Sequence, residues 1–180
     1  MSETESAEAT LPTSPEALLA RLEELGIAAR TVTHPPVYTV EEAKALRGEL
    51  PGSHIKNLFL RNKKGKMWLV TCLEDREVDL KALGQRLEAG RFSFGSAERL
   101  MTYLGVLPGS VTPFAVINDK HHEVTMVLDT GVMDAGPEGG PVNCHPLVNT
   151  MTTAVSPEDL IRFLEAEGHA PQMLDLGAAG

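Results

Sequence analysis

Two apolar runs, His54 to Arg61 and Met67 to Leu73, flank the polar stretch Asn62-Lys63-Lys64-Gly65-Lys66, and this arrangement constrains the chain more than any other. The pattern predicts an antiparallel hairpin with the basic stretch at its tip. Alternation along the first run puts Lys56 on one face with Leu58 and Leu60, and Asn57 on the other with Ile55 and Phe59. If the Lys56 face is buried, its ammonium needs a partner or a bound anion, because an unpaired buried charge is costly. A lysine whose stem lies in the core and whose head reaches a cleft is a candidate site residue. An edge lysine that merely snorkels would show the same spacing, so both readings stay open here.

The hairpin needs helices and further strands to cover it. Ser14-Pro15-Glu16 predicts a helix start, with serine as cap, proline in the first turn and glutamate against the dipole. Leu18, Leu22 and Leu25 then form an apolar stripe, ended by Gly26. Ser156-Pro157-Glu158 repeats the device, with Leu160, Phe163 and Leu164 before Gly168. Asp79 and Ser96 are predicted to cap helices through Leu87 and Leu104. Strands are expected at Ala29–Thr33, Val124–Leu128, Val142–Asn143 and Thr150–Val155, with an edge strand at Gln172–Leu176. A brief helix is expected over Thr39–Leu46 and a loop over Met133–Pro141, while Phe114–Ile117 fits either a strand or one helical turn. Helices that bracket and interrupt a mixed sheet make the fold class α+β. Residues 14–176 form the expected single domain, with 1–13 and 177–180 as tails.

Charge is unevenly spread. The chain has 180 residues, with 16 basic against 25 acidic side chains and a formal net charge of -9. That balance argues against a protein that coats nucleic acid or anionic lipid by bulk charge. Between Leu50 and Leu73, however, there is no acid, whereas Lys56, Arg61, Lys63, Lys64 and Lys66 all fall there. The segment fits either a solvated turn or a patch that steers an anion. No apolar run approaches the roughly 20 residues of a membrane span, and residues 1–11 lack the pattern of a secretory signal, so a cytoplasmic location is expected. Cys72 and Cys144 form no CxxC pair and are expected as reduced thiols.

Sequence signatures for phosphate-cradling loops, serine-hydrolase elbows and zincins are missing. His121-His122 is a poor metal pair, since neighbours on a strand point to opposite faces; an exposed turn is expected instead. Cys144-His145 meets the same objection as a nucleophile and base, which leaves Cys144 as a small apolar wall residue. Gly109-Ser110-Val111-Thr112-Pro113 predicts a rigid turn whose backbone amides need acceptors. Such a loop can present N–H groups to a carbonyl oxygen or a phosphate.

Four stretches stand in one order: His34-Pro35-Pro36-Val37-Tyr38-Thr39, Ile55 to Leu60, Gly109 to Pro113, and His145-Pro146-Leu147-Val148-Asn149. In that order the chain resembles the YbaK/ProX family of aminoacyl-tRNA deacylases, free-standing relatives of the editing insertion of prolyl-tRNA synthetase. The likeness runs from about Ser14 to Leu176, and the branch that removes alanine from tRNA for proline fits best. The resemblance implies a strongly curved mixed sheet flanked by helices and a pocket with no metal or cofactor. It further implies catalytic roles for Lys56, Asn57 and His145, with Gly109, Ser110, Val111, Thr112, Pro113 and Cys144 at the substrate. A bulkier apolar residue is expected where Cys144 stands, which bears on the size of the pocket.

The partners implied are mischarged tRNA for proline and, transiently, prolyl-tRNA synthetase; membrane and DNA are not. Arg61, Lys63, Lys64 and Lys66 would contact tRNA phosphates. A deacylase specific for cysteine, or a silent tRNA- or synthetase-binding module, would share the same motifs.

Overall fold

A computed structural model describes residues 11–36, 52–134 and 140–177 of the chain. Among the described residues, four α-helices begin where short polar side chains satisfy free backbone N–H groups. Ser14 Oγ accepts from Ala17 at 3.1 Å before α1 (Pro15–Glu24), and Asp79 accepts from Lys81 and Ala82 before α2 (Leu80–Arg86). Ser96 caps α3 (Ala97–Leu104) and Ser156 caps α4 (Pro157–Ala166) in the same way. Gly105 ends α3 at φ 62°, a left-handed conformation that costs glycine little.

The strands are β1 (Arg30–Thr33), β2 (Ser53–Arg61), β3 (Met67–Leu73), β4 (Ser93–Phe94), β5 (Val124–Asp129), β6 (Val142–Cys144), β7 (Met151–Val155) and β8 (Gln172–Leu174). They form one open, mixed sheet in the order β1-β7-β6-β2-β3-β5-β8, with β4 added to β2. The predicted hairpin is present: β2 and β3 pair antiparallel from Ile55↔Leu73 to Arg61↔Met67. At its tip, Asn62 N–H donates to Lys66 at 3.0 Å, and Asn62 Oδ1 accepts from Lys66 N–H at 2.9 Å. β8 lies at the sheet edge, as expected for Gln172–Leu176, but stops at Leu174.

Of the two forms expected for Phe114–Ile117, the helical one is present. Phe114–Ile117 belongs to a 3₁₀ helix, Pro113–Asn118, because Pro113 presets the first turn and Thr112 Oγ1 accepts from Phe114 at 3.3 Å. A second 3₁₀ turn, Thr130–Asp134, occupies the start of the expected loop. The helix expected over Thr39–Leu46 lies outside the described residues.

Two cores cover the two faces of the sheet. Leu18, Leu22, Leu104, Phe114, Phe163 and Leu164 pack from α1, α3, the first 3₁₀ helix and α4 onto Phe59, Leu69, Met126 and Leu128. On the opposite face, Leu83 and Phe92 cover Leu60, Trp68, Val70 and Cys72. This is the alternation expected for β2: even-numbered residues join the smaller core and odd-numbered ones the larger.

Candidate active site

The ladder between the parallel strands β2 and β6 holds only Ser53↔Val142 and His54↔Asn143. Beyond it β2 continues beside β3 and β4, while the chain after β6 turns back into β7. Lys56 on β2 and His145, which directly follows β6, each lie two residues past the last paired position. The two strands part there and leave a gap beside the carboxyl end of β6.

Lys56 is half-buried and its ammonium donates to the carbonyl of Arg76. Arg76 is anchored in turn, with Nε 3.0 Å from Oδ2 of the fully buried Asp129 at the end of β5. Asp129 also accepts from the N–H groups of Leu73 at 3.2 Å, Gly131 at 3.1 Å and Leu176 at 3.3 Å. Burial opposes ionisation of this carboxyl, but the bonds from Gly131, Arg76, Leu73 and Leu176 outweigh it and hold its pKa below the usual value. The guanidinium of Arg76 lies so close to Gly131 that a Cβ there would collide with it. A fixed chain therefore runs from Asp129 through Arg76 to Lys56. Since an ammonium has three donors, two remain for other acceptors.

Asn57 points to the other face. Its Nδ2 donates to the carbonyl of Val111 at 3.0 Å, and its Oδ1 accepts from Thr71 Oγ1 at 2.5 Å. The amide thus ties the 109–113 loop to the sheet. Ser110 N–H is engaged by Leu107 at 3.0 Å, whereas among the described residues the amides of Gly109, Val111 and Thr112 make no such backbone bond. Gly109 is exposed, Thr112 and Pro113 are buried. Beside Gly109 sits Asn149, only 3% exposed, whose Oδ1 has no hydrogen-bond partner among the described residues.

His145 Nδ1 lies 3.1 Å from the carbonyl of Met151. A carbonyl only accepts, so Nδ1 carries the proton and Nε2 of the neutral ring presents a lone pair. Burial lowers the His145 pKa; the bond to Met151 opposes the shift, and the nearby His34 ring adds to it. The two rings stand 6.5 Å apart, and His34 Nε2 lies 2.7 Å from Thr152 Oγ1. Cys144, by contrast, is 3% exposed in the larger core, where burial raises its thiol pKa. The Cys72 thiol, across the ladder from Lys56, is pushed up to about 11 by burial. Both cysteines are free.

Lys63, Lys64 and Lys66 are exposed on the hairpin tip and Arg61 is half-buried at its base. His121 and His122 are exposed before β5, and among the described residues no group of three His, Cys, Asp or Glu side chains could hold a metal ion. No described helix is long and apolar enough to cross a membrane. Arg76, Asp129, His34 and Asn149 were not singled out as candidates in the sequence. The first two meet across 53 residues of chain, and no local pattern signals that contact.

The family model for the aminoacyl-tRNA editing domain matches residues 34–163. The prolyl-tRNA editing protein ProX of Acetoanaerobium sticklandii is 36% identical over 162 residues, covering 89% of this chain and 96% of the relative. The prolyl-tRNA synthetase associated domain-containing protein 1 of Mus musculus is 39% identical over 158 residues, covering 86% and 92%. Among solved structures, one described as a candidate trans-editing enzyme for prolyl-tRNA synthetase superposes with a TM-score of 0.69 over 92% of this chain and 97% of that one, at 20% identity.

Proposed function

The chain belongs to the family of aminoacyl-tRNA editing domains and is an aminoacyl-tRNA deacylase, and from that premise we propose that its substrate is alanine esterified to tRNA for proline. The observation that carries the reading is the parting of β2 from β6 beside Lys56 and His145, opposite a loop held by Asn57. In this reading, water attacks the ester carbonyl carbon, the bond to the ribose oxygen breaks, and the products are free amino acid and tRNA hydroxyl.

Lys56 donates to the carbonyl or to the terminal ribose and phosphate with the protons that Arg76 does not take. Amides of the 109–113 loop reach the oxyanion through the gap between β2 and β6, from the face opposite Lys56; one such donor is typically worth about 3 kcal/mol. His145 orients the water through Nε2, and no step calls on a metal. Selectivity arises by exclusion: a pocket sized for alanine rejects the proline ring, whereas attraction separates a missing methylene by only about 1–3 kcal/mol. Cys144 backs this pocket from the core side. Arg61, Lys63, Lys64 and Lys66 bind tRNA phosphates, and contact with prolyl-tRNA synthetase is transient.

The test is a deacylation panel with alanine-, serine-, cysteine- and proline-charged tRNA for proline. Fast release of alanine, with proline spared, supports the proposal. Preference for cysteine would transfer the assignment to a cysteine deacylase, and no acceleration at high enzyme concentration would refute the proposed reaction.

A further inference from the structure

Phe94 is the most exposed large apolar side chain among the described residues, at 61%. It belongs to β4, a strand of two residues that pairs with the end of β2 as Leu60↔Phe94 and Arg61↔Ser93. Phe92, two residues earlier, turns inward and meets Trp68 edge-on at 5.0 Å, so the core is already closed without Phe94.

The surroundings of the ring are basic. Arg61 lies across the ladder from its neighbour Ser93, and the chain runs directly from Arg61 into the tip carrying Lys63, Lys64 and Lys66. At about 3.3 Å per residue, the tip lies roughly 10–13 Å along the strand from the ring. Arg91, exposed, leads into β4 from the other side. Among the described residues none of these five cations is in an ion pair. The nearest acids in sequence are Glu88 and Glu98, and neither lies on the hairpin.

An exposed aromatic face beside unpaired cations is the chemistry that holds single-stranded nucleic acid: the bases stack and the phosphates meet the charges. We propose that Phe94 is a stacking platform for an unpaired base of RNA, with the backbone on either side held by the hairpin cations. That the RNA is an aminoacylated tRNA rests on the deacylase assignment; the stacking surface itself does not.

The experiment is fluorescence anisotropy with a labelled 12-nucleotide single-stranded RNA and a blunt RNA duplex of equal length, both uncharged. Phe94→Ala is expected to weaken binding of the single strand about 5- to 160-fold, the range typical of one base–aromatic stack. Phe94→Trp should restore or tighten it. Affinity for the duplex should be unchanged, and so should the slope of log affinity against log salt, whereas replacing Lys63 and Lys64 with Gln should flatten that slope. Melting of Phe94→Ala should match the wild type, since the ring is not part of the core.

Single-strand affinity within twofold of wild type in Phe94→Ala would overturn the proposal. So would a wild-type dimer that Phe94→Ala dissociates with RNA binding intact, because the ring would then cover a second copy of the chain. A protein that binds the strand through Phe94 yet hydrolyses no charged tRNA would refute the function and leave this surface standing.

Discussion

Replacing Asp129 with Asn should be a strongly destabilising isosteric change. Each carboxylate oxygen serves two donors: Oδ1 takes Gly131 and Leu176 N–H, and Oδ2 takes Arg76 Nε and Leu73 N–H. An amide can keep one pair through its oxygen, but its NH₂ group would then face two donors in place of the other pair. Hydrogen bonds to a charged group contribute roughly 1.5–3 kcal/mol each, and breaking a buried ion pair costs about 3–5 kcal/mol. Arg76 is partly exposed, so a loss of about 3–4 kcal/mol is expected. For a protein of this size that lowers the melting temperature by about 6–16 °C.

The acid limb gives an independent check. A folded-state pKa below the unfolded value near 3.9 contributes stability that is present above that value and is lost as pH falls through the folded pKa. Wild type should therefore lose stability steeply below about pH 4, and Asp129→Asn should lose less over the same interval. Urea unfolding at pH 7 and pH 3.5 measures both. A variant within about 1 kcal/mol of wild type at pH 7, or one with an unchanged acid limb, would refute the anchoring role assigned to Asp129.

Lys56→Ala should reduce deacylation about 100-fold or more with a normal melting curve, and Lys56→Arg should not rescue it, since a planar fork cannot share the same donors; retained turnover in either would count against the lysine. The lowered pKa of His145 makes unfolding take up a proton, so stability is full above the unfolded histidine value near 6.5 and declines below it. His145→Asn should flatten that decline between pH 6.5 and 5 in thermal melts. Asn149→Leu removes an unpaired buried acceptor, which costs about 1–3 kcal/mol when unsatisfied; the variant should unfold at equal or higher urea concentration and a lower midpoint would contradict the assignment. Cys72 and Cys144 should resist a thiol reagent in the native protein and react fully in denaturant.

Helix starts were legible because capping is local: Ser14, Asp79, Ser96 and Ser156 each satisfy N–H groups two or three residues ahead. The hairpin was legible because one run of alternation was interrupted by one polar tip. Phe114 to Ile117 was not, since a short apolar run has no period of its own and Pro113 decides its conformation. A strand as short as β4 carries no pattern, so the exposure of Phe94 had no local signal. In the candidate site, Lys56 stood out as a charge among apolar neighbours. The groups that hold it, Arg76 and Asp129, look in sequence like ordinary surface charges, and only the long-range ladder of β3 with β5 brings them together.

The strand that presents Lys56 to one face and Asn57 to the other also dictates where this chain can change length. One residue inserted between Ser53 and Lys56 would exchange the two faces, sending the ammonium toward the 109–113 loop and the amide toward Arg76. Two inserted residues would restore the faces but carry both groups roughly 6.6 Å out of place. The five residues at the hairpin tip face no such restriction, because their backbone closes on itself through Asn62. Drift in length is therefore tolerable at the basic tip and ruinous a few residues away. The reach of the basic arm can vary between otherwise similar chains while the geometry at Lys56 stays rigid.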